Sequence, residues 1–204
     1  IRQDLNVSIK EGSRIEMKGA QELKLIPKYV EYEVLRQKKL VELSKEITKV
    51  KTGKAVDVSD VLNGCQSKII KDTLQMKGVI HCSRIQEFKG ILGKEIQPGR
   101  RIGSELSDYA KVFGNVGGLF HSDELPKYGI EQKDVDAIRK KLKCEDNDAF
   151  VIIADSEAKV KKAFEGVFLR LDMIPKGVPK EVRKANDDCT SSFMRPLGSG
   201  ERDR

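Results

Sequence analysis

The chain opens with two short runs in which polar and apolar residues alternate, a pattern that predicts a β-hairpin. The polar positions of the two runs are Arg2, Asp4, Asn6, Ser8, Arg14, Glu16 and Lys18. Because side chains of a strand point alternately to its two faces, a loop with an odd number of residues puts both polar rows on one face. A three-residue loop over 11–13 meets this condition and places Asp4 or Asn6 opposite Lys18. The alternation alone is equally consistent with a solvated face held by cross-strand charge pairs.

The segment 26–50 has no glycine and carries apolar residues at helical spacing, so it predicts one long amphipathic helix. Its only proline, Pro27, falls in the first turn, where a helix tolerates proline. Gly53 and the pair Asn63-Gly64 mark the following stretch as a linker. We expect the helix to connect two separate bodies.

Strand-like and helix-like segments follow one another between residues 66 and 171. The predicted strands cover 79–85, 88–92, 118–121 and 149–154, and the predicted helices start after Ser67, cover 105–113 and 131–142, and start after Ser156. This succession predicts an α/β (α+β) fold. A hairpin and long helix over 1–65 precede a two-layer α/β sandwich with a mixed or antiparallel sheet over 66–171.

The net charge of +7 suits a polyanionic partner such as RNA, although a lysine-rich solvated surface gives the same balance. No apolar run approaches the roughly 18 residues that a membrane span needs. The start also lacks the apolar stretch of a signal peptide. We therefore expect a cytoplasmic protein with no membrane partner.

Residues 93–104 form a glycine-rich segment that contains Arg100 and Arg101. Glycines let the backbone approach an anion and arginines pair with it, which makes these two arginines candidates for contact with an RNA backbone. A Walker A nucleotide loop is excluded, because Gly93-Lys94 is not followed by Ser or Thr. A structural loop with solvated arginines explains the same residues.

The polar runs also lie within two strings that resemble a known family. The strings are Ile1-Arg2-Gln3-Asp4-Leu5-Asn6-Val7-Ser8-Ile9 and Arg14-Ile15-Glu16-Met17-Lys18. They resemble the last part of the catalytic cradle in tRNA-dependent amidotransferases, which convert Glu-tRNA(Gln) to Gln-tRNA(Gln), and above all in the archaeal E-subunit family. Because the strings open the chain without an initiator Met, we expect a segment of a longer protein.

Further strings resemble the insert domain that this family shares with bacterial-type aspartyl-tRNA synthetases, and the return from that insert to the cradle. They cover 88–93, 98–105 and 117–126 for the insert, and 177–183 and 190–197 for the return. The resemblance thus implies part of the cradle with its connecting helix over 1–65 and the insert over 66–171. The return segment and a polar tail occupy 172–204, where the pattern departs from the family after Leu197.

The resemblance implies that ATP activates the glutamyl group of Glu-tRNA(Gln) as a γ-glutamyl phosphate. Ammonia from a partner, the asparaginase-like D subunit, then forms the amide, and no DNA takes part. The implied catalytic residues are Arg2, Asp4, Asn6, Ser8, Glu16 and Lys18, with Arg14 as a further basic candidate. Asp4 and Glu16 are the implied ligands of Mg²⁺, which prefers oxygen. The basic residues would neutralise phosphate charge, and the other two would position groups by hydrogen bonds.

A second function fits the insert strings alone, namely a tRNA-contacting module of an aspartyl-tRNA synthetase with no chemistry of its own. The Arg-x-Asp-x-Asn-x-Ser run over 2–8 favours the amidotransferase, because it belongs to that family's pattern. In that case we expect this segment alone to be inactive.

Overall fold

The computed structural model describes residues 2–198, so Ile1 and residues 199–204 of the polar tail lie outside the described residues. The strands are β1 (Gln3–Val7), β2 (Ile15–Ala20), β3 (Val56–Asp57), β4 (Val79–Ile85), β5 (Glu95–Gln97), β6 (Arg100–Arg101), β7 (Phe120–His121), β8 (Ala149–Asp155), β9 (Glu181–Ala185) and β10 (Ser191–Pro196). The α-helices are α1 (Ile26–Glu46), α2 (Lys68–Gln75), α3 (Ile102–Gly114), α4 (Gln132–Lys141) and α5 (Glu157–Met173). The predicted α/β fold is confirmed. None of these helices is long and apolar enough to cross a bilayer.

The chain forms two compact units, and the first draws on three separate stretches of sequence. It contains the described residues up to Lys49, the segment Glu95–Arg101, and the described residues from Leu171 onward. The second unit contains Val50–Lys94 and Ile102–Arg170. The segment Glu95–Arg101 lies inside the range predicted for the insert domain, yet it packs with the first unit, where β5 contacts α1.

The first unit is built on a four-stranded mixed sheet in the order β1-β2-β9-β10. The pairs β1–β2 and β9–β10 are antiparallel, whereas β2 and β9 run parallel. The predicted hairpin is confirmed, but its connection covers residues 8–14 instead of 11–13, because strand pairing ends with Val7 opposite Ile15. This longer connection also has an odd number of residues, which keeps the two polar rows on one face.

Helix α1 packs against this sheet along one side. It begins at Ile26, with Pro27 in its first turn as predicted. It ends at Glu46, before the predicted end at residue 50, because Ile47 adopts an extended backbone with φ −110° and ψ 101°. The Tyr29 hydroxyl donates to a carbonyl of the connection between β9 and β10 at 2.5 Å, which fastens the first turns of the helix.

A buried network of four charged side chains joins α1 to β9. Arg36 of α1 donates two hydrogen bonds to Glu33, at 2.8 and 2.9 Å, and its Nη1 lies 3.6 Å from Glu181 Oε1. Glu181 also accepts a hydrogen bond from Arg183 on the same strand. All four side chains are at most 1% exposed. Two positive and two negative charges balance, which is the condition under which a protein interior tolerates charge.

Gln37 extends this network to the hairpin. Its side-chain amide donates to Glu33 at 3.1 Å and to the carbonyl of Val7 at 3.3 Å, and it accepts from the N–H of Ser13 at 3.3 Å. Gly12 lies so close to α1 that an added Cβ would clash with the Gln37 side chain. A larger residue at this position would therefore displace Gln37 from its hydrogen bonds to the hairpin.

The short β5–β6 hairpin is fastened to β10 through Gln97. Its side-chain amide donates to the carbonyl of Ser191 at 3.0 Å and accepts from the N–H of Ser191 at 2.8 Å. Arg183 reaches the same residue, with Nε 2.7 Å from Ser191 Oγ and Nη2 2.9 Å from its carbonyl oxygen. Side chains from two other segments thus satisfy the buried backbone at the start of β10.

The second unit contains a four-stranded antiparallel sheet in the order β3-β4-β8-β7. Strands β4 and β8 pair along their whole length, from Val79 opposite Asp155 to Ile85 opposite Ala149. Strand β3 forms where the sequence predicted a linker. Helices α2 to α5 and strands β4, β7 and β8 form close to their predicted positions.

The predicted strand over 88–92 is wrong. These residues form consecutive turns, in which the N–H of Ile91 donates to the carbonyl of Phe88 at 3.1 Å and Gly90 has φ +84°. Phe88 and Leu92 are both buried. The apolar spacing that predicted a strand therefore arises from turn residues whose side chains face the core.

Both faces of the second sheet are buried. On one face, Phe150 and Ile152 share a core with Ile70 of α2 and Ile138 of α4. Val151 alternates with them, so it points to the other face, and it is fully buried as well. The central strands of this sheet are thus covered on both sides.

The buried network generates a prediction about stability. We expect Arg36→Met to lower the free energy of unfolding by about 3–5 kcal/mol, because it removes one partner and leaves buried carboxylate charge uncompensated. Lys38→Met, an exposed position on the same helix, should change it by less than about 0.5 kcal/mol. The measurement is urea denaturation followed through the NMR amide signals of α1. Equal stability of the two variants would contradict this role of the network.

Candidate functional site

The polar face predicted from the alternation is present on the sheet of the first unit. Asn6 lies directly opposite Glu16, and the side chains of Asp4 and Lys18 extend from the same face. The alternate residues of the two strands are buried on the other face: Val7, Ile15 and Met17.

The prediction put Asp4 or Asn6 opposite Lys18, and the register confirms it for Asp4. Leu5 pairs with Met17 and Asn6 with Glu16, so the next position along each strand brings Asp4 opposite Lys18. A bulge that includes Gly19, with φ +88°, shifts the register beyond Lys18. Asp4 reaches Lys18 through its side chain.

Lys18 interacts with two carboxylates on this face. Its Nζ lies 3.0 Å from Glu16 Oε1 and 3.6 Å from Asp4 Oδ2. The hydrogen bond and the charge of Glu16, followed by the charge of Asp4, raise the pKa of Lys18. Lysine is already protonated at neutral pH, and this shift extends the charged form of Lys18 to higher pH. About a third of its side chain is exposed, so an anion from solution can reach the ammonium group.

The parallel neighbour of β2 adds a residue that sequence analysis missed. Lys184 of β9 is the register partner of Lys18, and Ser192 of β10 is the register partner of Lys184. Register partners in neighbouring strands share a face, so the exposed Lys184 extends the positive charge of the polar face. No local signal could have found it, because residues 21–180 separate β2 from β9 in the sequence.

The remaining residues of the predicted site lie at the ends of the two strands. Arg2 is exposed just before β1, and Ser8 is exposed just after it. Arg14 is half-buried just before β2. The catalytic roles assigned to these residues stay predictions.

The carboxylates of Asp4 and Glu16 fit a metal that is bound together with a nucleotide. Both lie within 3.6 Å of Lys18 Nζ, so their oxygens converge on one point of the face. Proteins often hold Mg²⁺ through one or two carboxylates, with waters and substrate phosphates completing the octahedron. Within residues 2–198, no group of three or more His, Cys, Asp or Glu side chains forms a self-sufficient metal cluster.

Arg100 and Arg101, the candidates for contact with RNA, lie on β6 in the first unit. Arg101 is exposed, whereas Arg100 is half-buried. A hydrogen bond from Thr190 and, in addition, the charge of Arg100 lower the pKa of Asp188. Arg100 thus acts on a carboxylate of its own unit, and Arg101 is the better placed of the two to meet a phosphate from outside.

Comparison with known proteins shows which proteins this chain is similar to in sequence. Residues 70–164 match the model of the GAD domain. The chain is 46% identical over 206 residues to the E subunit of glutamyl-tRNA(Gln) amidotransferase from Methanococcus maripaludis strain C5, covering 99% of this chain and 32% of that protein. It is 47% identical to the corresponding E subunit of Methanocaldococcus jannaschii, covering 99% of this chain and 33% of that protein. It is also 47% identical to the E subunit of Pyrococcus furiosus, covering 97% of this chain and 32% of that protein. The chain spans about a third of the length of these relatives, and the predicted resemblance to the E-subunit family is confirmed.

The geometry around Lys18 predicts how its pKa responds to substitution. Glu16→Gln should lower the pKa of Lys18 more than Asp4→Asn does, because Glu16 supplies the hydrogen bond as well as the nearer charge. The measurement is an NMR titration of the Lys18 side chain in each variant. Lys68, whose pKa Asp72 raises in the second unit, is the internal control and should not respond. A larger effect of Asp4→Asn would show that the face is arranged differently.

Proposed function

We propose that this chain, a segment from the E-subunit family of glutamyl-tRNA(Gln) amidotransferases, carries part of the active site that amidates Glu-tRNA(Gln). In this reaction ATP transfers its γ-phosphoryl group to the side-chain carboxylate of the tRNA-bound glutamate. Ammonia from a partner, the asparaginase-like D subunit, then attacks the acyl phosphate, and inorganic phosphate leaves as the amide forms. The similarity over the whole chain supports the assignment to this family.

The observation that carries the proposal is the cluster of Asp4, Glu16 and Lys18 on an open sheet face. Transfer of a phosphoryl group needs little covalent chemistry from the protein, since positioning and neutralisation of charge do most of the work. Lys18 fits the second task, because a lysine ammonium group is charged at neutral pH and its two carboxylate neighbours raise the pKa of Lys18 further. Its partial exposure lets a phosphate oxygen take the place of one of these carboxylates.

Asp4 and Glu16 are the residues that would hold Mg²⁺ bound together with ATP. Such an ion supplies charge that stabilises the phosphate oxygens during transfer. Asn6 lies opposite Glu16 on the same face, where its side-chain amide can donate to a substrate oxygen and accept from a substrate N–H. Lys184 adds a second positive charge next to Lys18, which favours the binding of a polyphosphate.

Contact with tRNA would draw on exposed positive charge, and Arg101 meets this requirement better than Arg100. Both lie on β6, but only Arg101 is exposed. The described residues include few aromatic side chains that could stack on bases. Attraction to phosphates that does not depend on sequence is therefore the mode that these arginines support.

We expect Asp4→Ala in the full-length protein to slow the amidation of Glu-tRNA(Gln) by about 10²-fold or more, because the lost carboxylate acts where charge develops. Affinity for tRNA should stay nearly unchanged. The measurement is single-turnover amidation with ammonium salt as the source of ammonia, which removes the partner's activity from the result.

Glu11→Ala is the matched control for Asp4→Ala. Glu11 is an acidic residue of the same hairpin and pairs with exposed Lys45 at 3.4 Å, so this variant should amidate at the rate of wild type. A rate for Asp4→Ala within about tenfold of wild type would contradict the proposed role of the polar face.

The two arginines of β6 should differ in their effect on tRNA affinity. We expect Arg101→Ala to flatten the slope of log affinity against log salt by about one unit, since one phosphate contact is lost. Arg100→Ala should change the slope less, because Arg100 is half-buried near Asp188. Binding of the full-length protein to two different tRNAs at several salt concentrations measures both. An unchanged slope for Arg101→Ala would exclude it from the RNA contact.

A further inference from the structure

The second unit contains a cleft of about 540 Å³ that the proposed amidation does not use. Its walls come from α2, the loop before β7, the end of β8 and the start of α5. Ile69 of α2 and Met76, which directly follows α2, line the cleft and are 53% and 84% exposed. Half-buried Phe120 contributes an aromatic ring. A volume of this size lies within the range of binding sites for small molecules and short peptide segments.

One wall of the cleft is an open sheet edge. Strand β7 pairs with β8 only as far as Ile152, while β8 continues to Asp155. Gly118 would face Ala154 if the pairing continued. Instead it has φ +144°, and an added Cβ there would lie 3.0 Å from Ser107 Oγ of α3. The chain before β7 thus turns toward α3, and no strand formed by residues 2–198 pairs with the end of β8 on this side.

The backbone groups of Ala154 point to this open edge. Ala154 faces Ile80 of β4. The backbone N–H and C=O of Ile80 point away from β8. The N–H donates to Ser59 Oγ at 3.2 Å, and the carbonyl accepts from the N–H of Val58 at 2.9 Å. Ile80 and Ala154 are therefore a non-hydrogen-bonded pair, in which both residues direct N–H and C=O outward. The N–H and C=O of Ala154 consequently face the cleft.

The rim of the cleft carries more negative than positive charge. Its ionisable residues are Asp72, Asp155 and Glu157 against Lys77. Lys68 pairs with Asp72 at 2.7 Å, so the carboxylates of Asp155 and Glu157 against the ammonium group of Lys77 leave a net of one negative charge. These carboxylates repel a nucleic-acid phosphate and attract basic side chains. Charge therefore favours a protein segment over RNA at this site.

We propose that the cleft binds an extended peptide segment of a partner protein in which apolar and basic side chains alternate. The segment adds a short strand to β8 by exchanging hydrogen bonds with Ala154, as in other cases of strand addition to an open edge. Its apolar side chains enter the cleft beside Met76 and Phe120, and its basic side chains face Asp155 and Glu157.

The test is an NMR titration of the ¹⁵N-labelled 204-residue chain with the peptide acetyl-Lys-Leu-Lys-Leu-Lys-amide. We expect a dissociation constant on the order of 10⁻⁴ M, with the largest shift at the amide of Ala154. The charge-reversed peptide, with Glu in place of each Lys, should bind at least about tenfold more weakly. A version with N-methylated leucines, which cannot form the strand, should lose binding to a similar extent.

Substitutions in the protein distinguish binding of the peptide in the cleft from non-specific binding elsewhere on the surface. Met76→Ala should weaken binding of the basic peptide by about tenfold, because an anchoring apolar contact is lost. Met194→Ala, at a 40% exposed methionine of the first unit, should have no effect. Equal binding of the acidic or the N-methylated peptide would overturn the proposal. An Ala154 amide that does not shift, or equal responses to the two methionine variants, would overturn it as well.

Discussion

The buried network of Glu33, Arg36, Glu181 and Arg183 is the interaction on which the first unit depends. An isolated charge in a protein interior costs several kcal/mol, so these side chains are tolerated only when α1 and β9 lie against each other. Hydrogen bonds hold Arg36 to Glu33 on the helix and Glu181 to Arg183 on the strand, and the ion pair of Arg36 with Glu181, at 3.6 Å, links the two elements. A displaced β9 would lose this buried ion pair, so the network favours the observed placement of β9, although the whole second unit separates it from β2 in the sequence.

Charged side chains lie on both faces of this sheet, buried on one face and accessible to solvent on the other. Arg36 and Glu181 are buried, balanced and locked by hydrogen bonds. Glu16 and Lys18, on the uncovered face, hold each other through contacts that solvent can reach. Because α1 covers one face, the period of two along β2 decides which residues support the fold and which can meet a ligand. A shift of one residue in register would exchange the two groups.

The local parts of this account could be predicted from the sequence. Alternation along the first eighteen residues identified the hairpin and its polar face, and helical spacing after Pro27 identified α1 up to Glu46. The network could not be found in this way, because Glu33 and Arg36 have the i, i+3 spacing that is also typical of a solvated ion pair. Only the position of Glu181 reveals that the pair is buried.

Lys184 and the short β5–β6 hairpin were missed for a related reason. Lys184 lies on the polar face because β9 pairs in parallel with β2. The sequence pattern of a strand shows which residues share a face, but it does not show which distant strand is its neighbour. The glycine-rich segment offers turns at several points, so its sequence did not reveal that Gln97 fastens part of it to Ser191 of the first unit. In both cases the decisive contact links residues that are far apart in the chain.

The most direct test of the central claim is a crystal structure of the full-length protein with Mg²⁺ and a non-hydrolysable ATP analogue. We expect the terminal phosphates at hydrogen-bonding distance, about 3 Å, from Lys18 Nζ. We also expect the metal to be bound to at least one of the carboxylates of Asp4 and Glu16. A nucleotide bound away from this face, with Lys18 still paired to both carboxylates, would contradict the proposed active site.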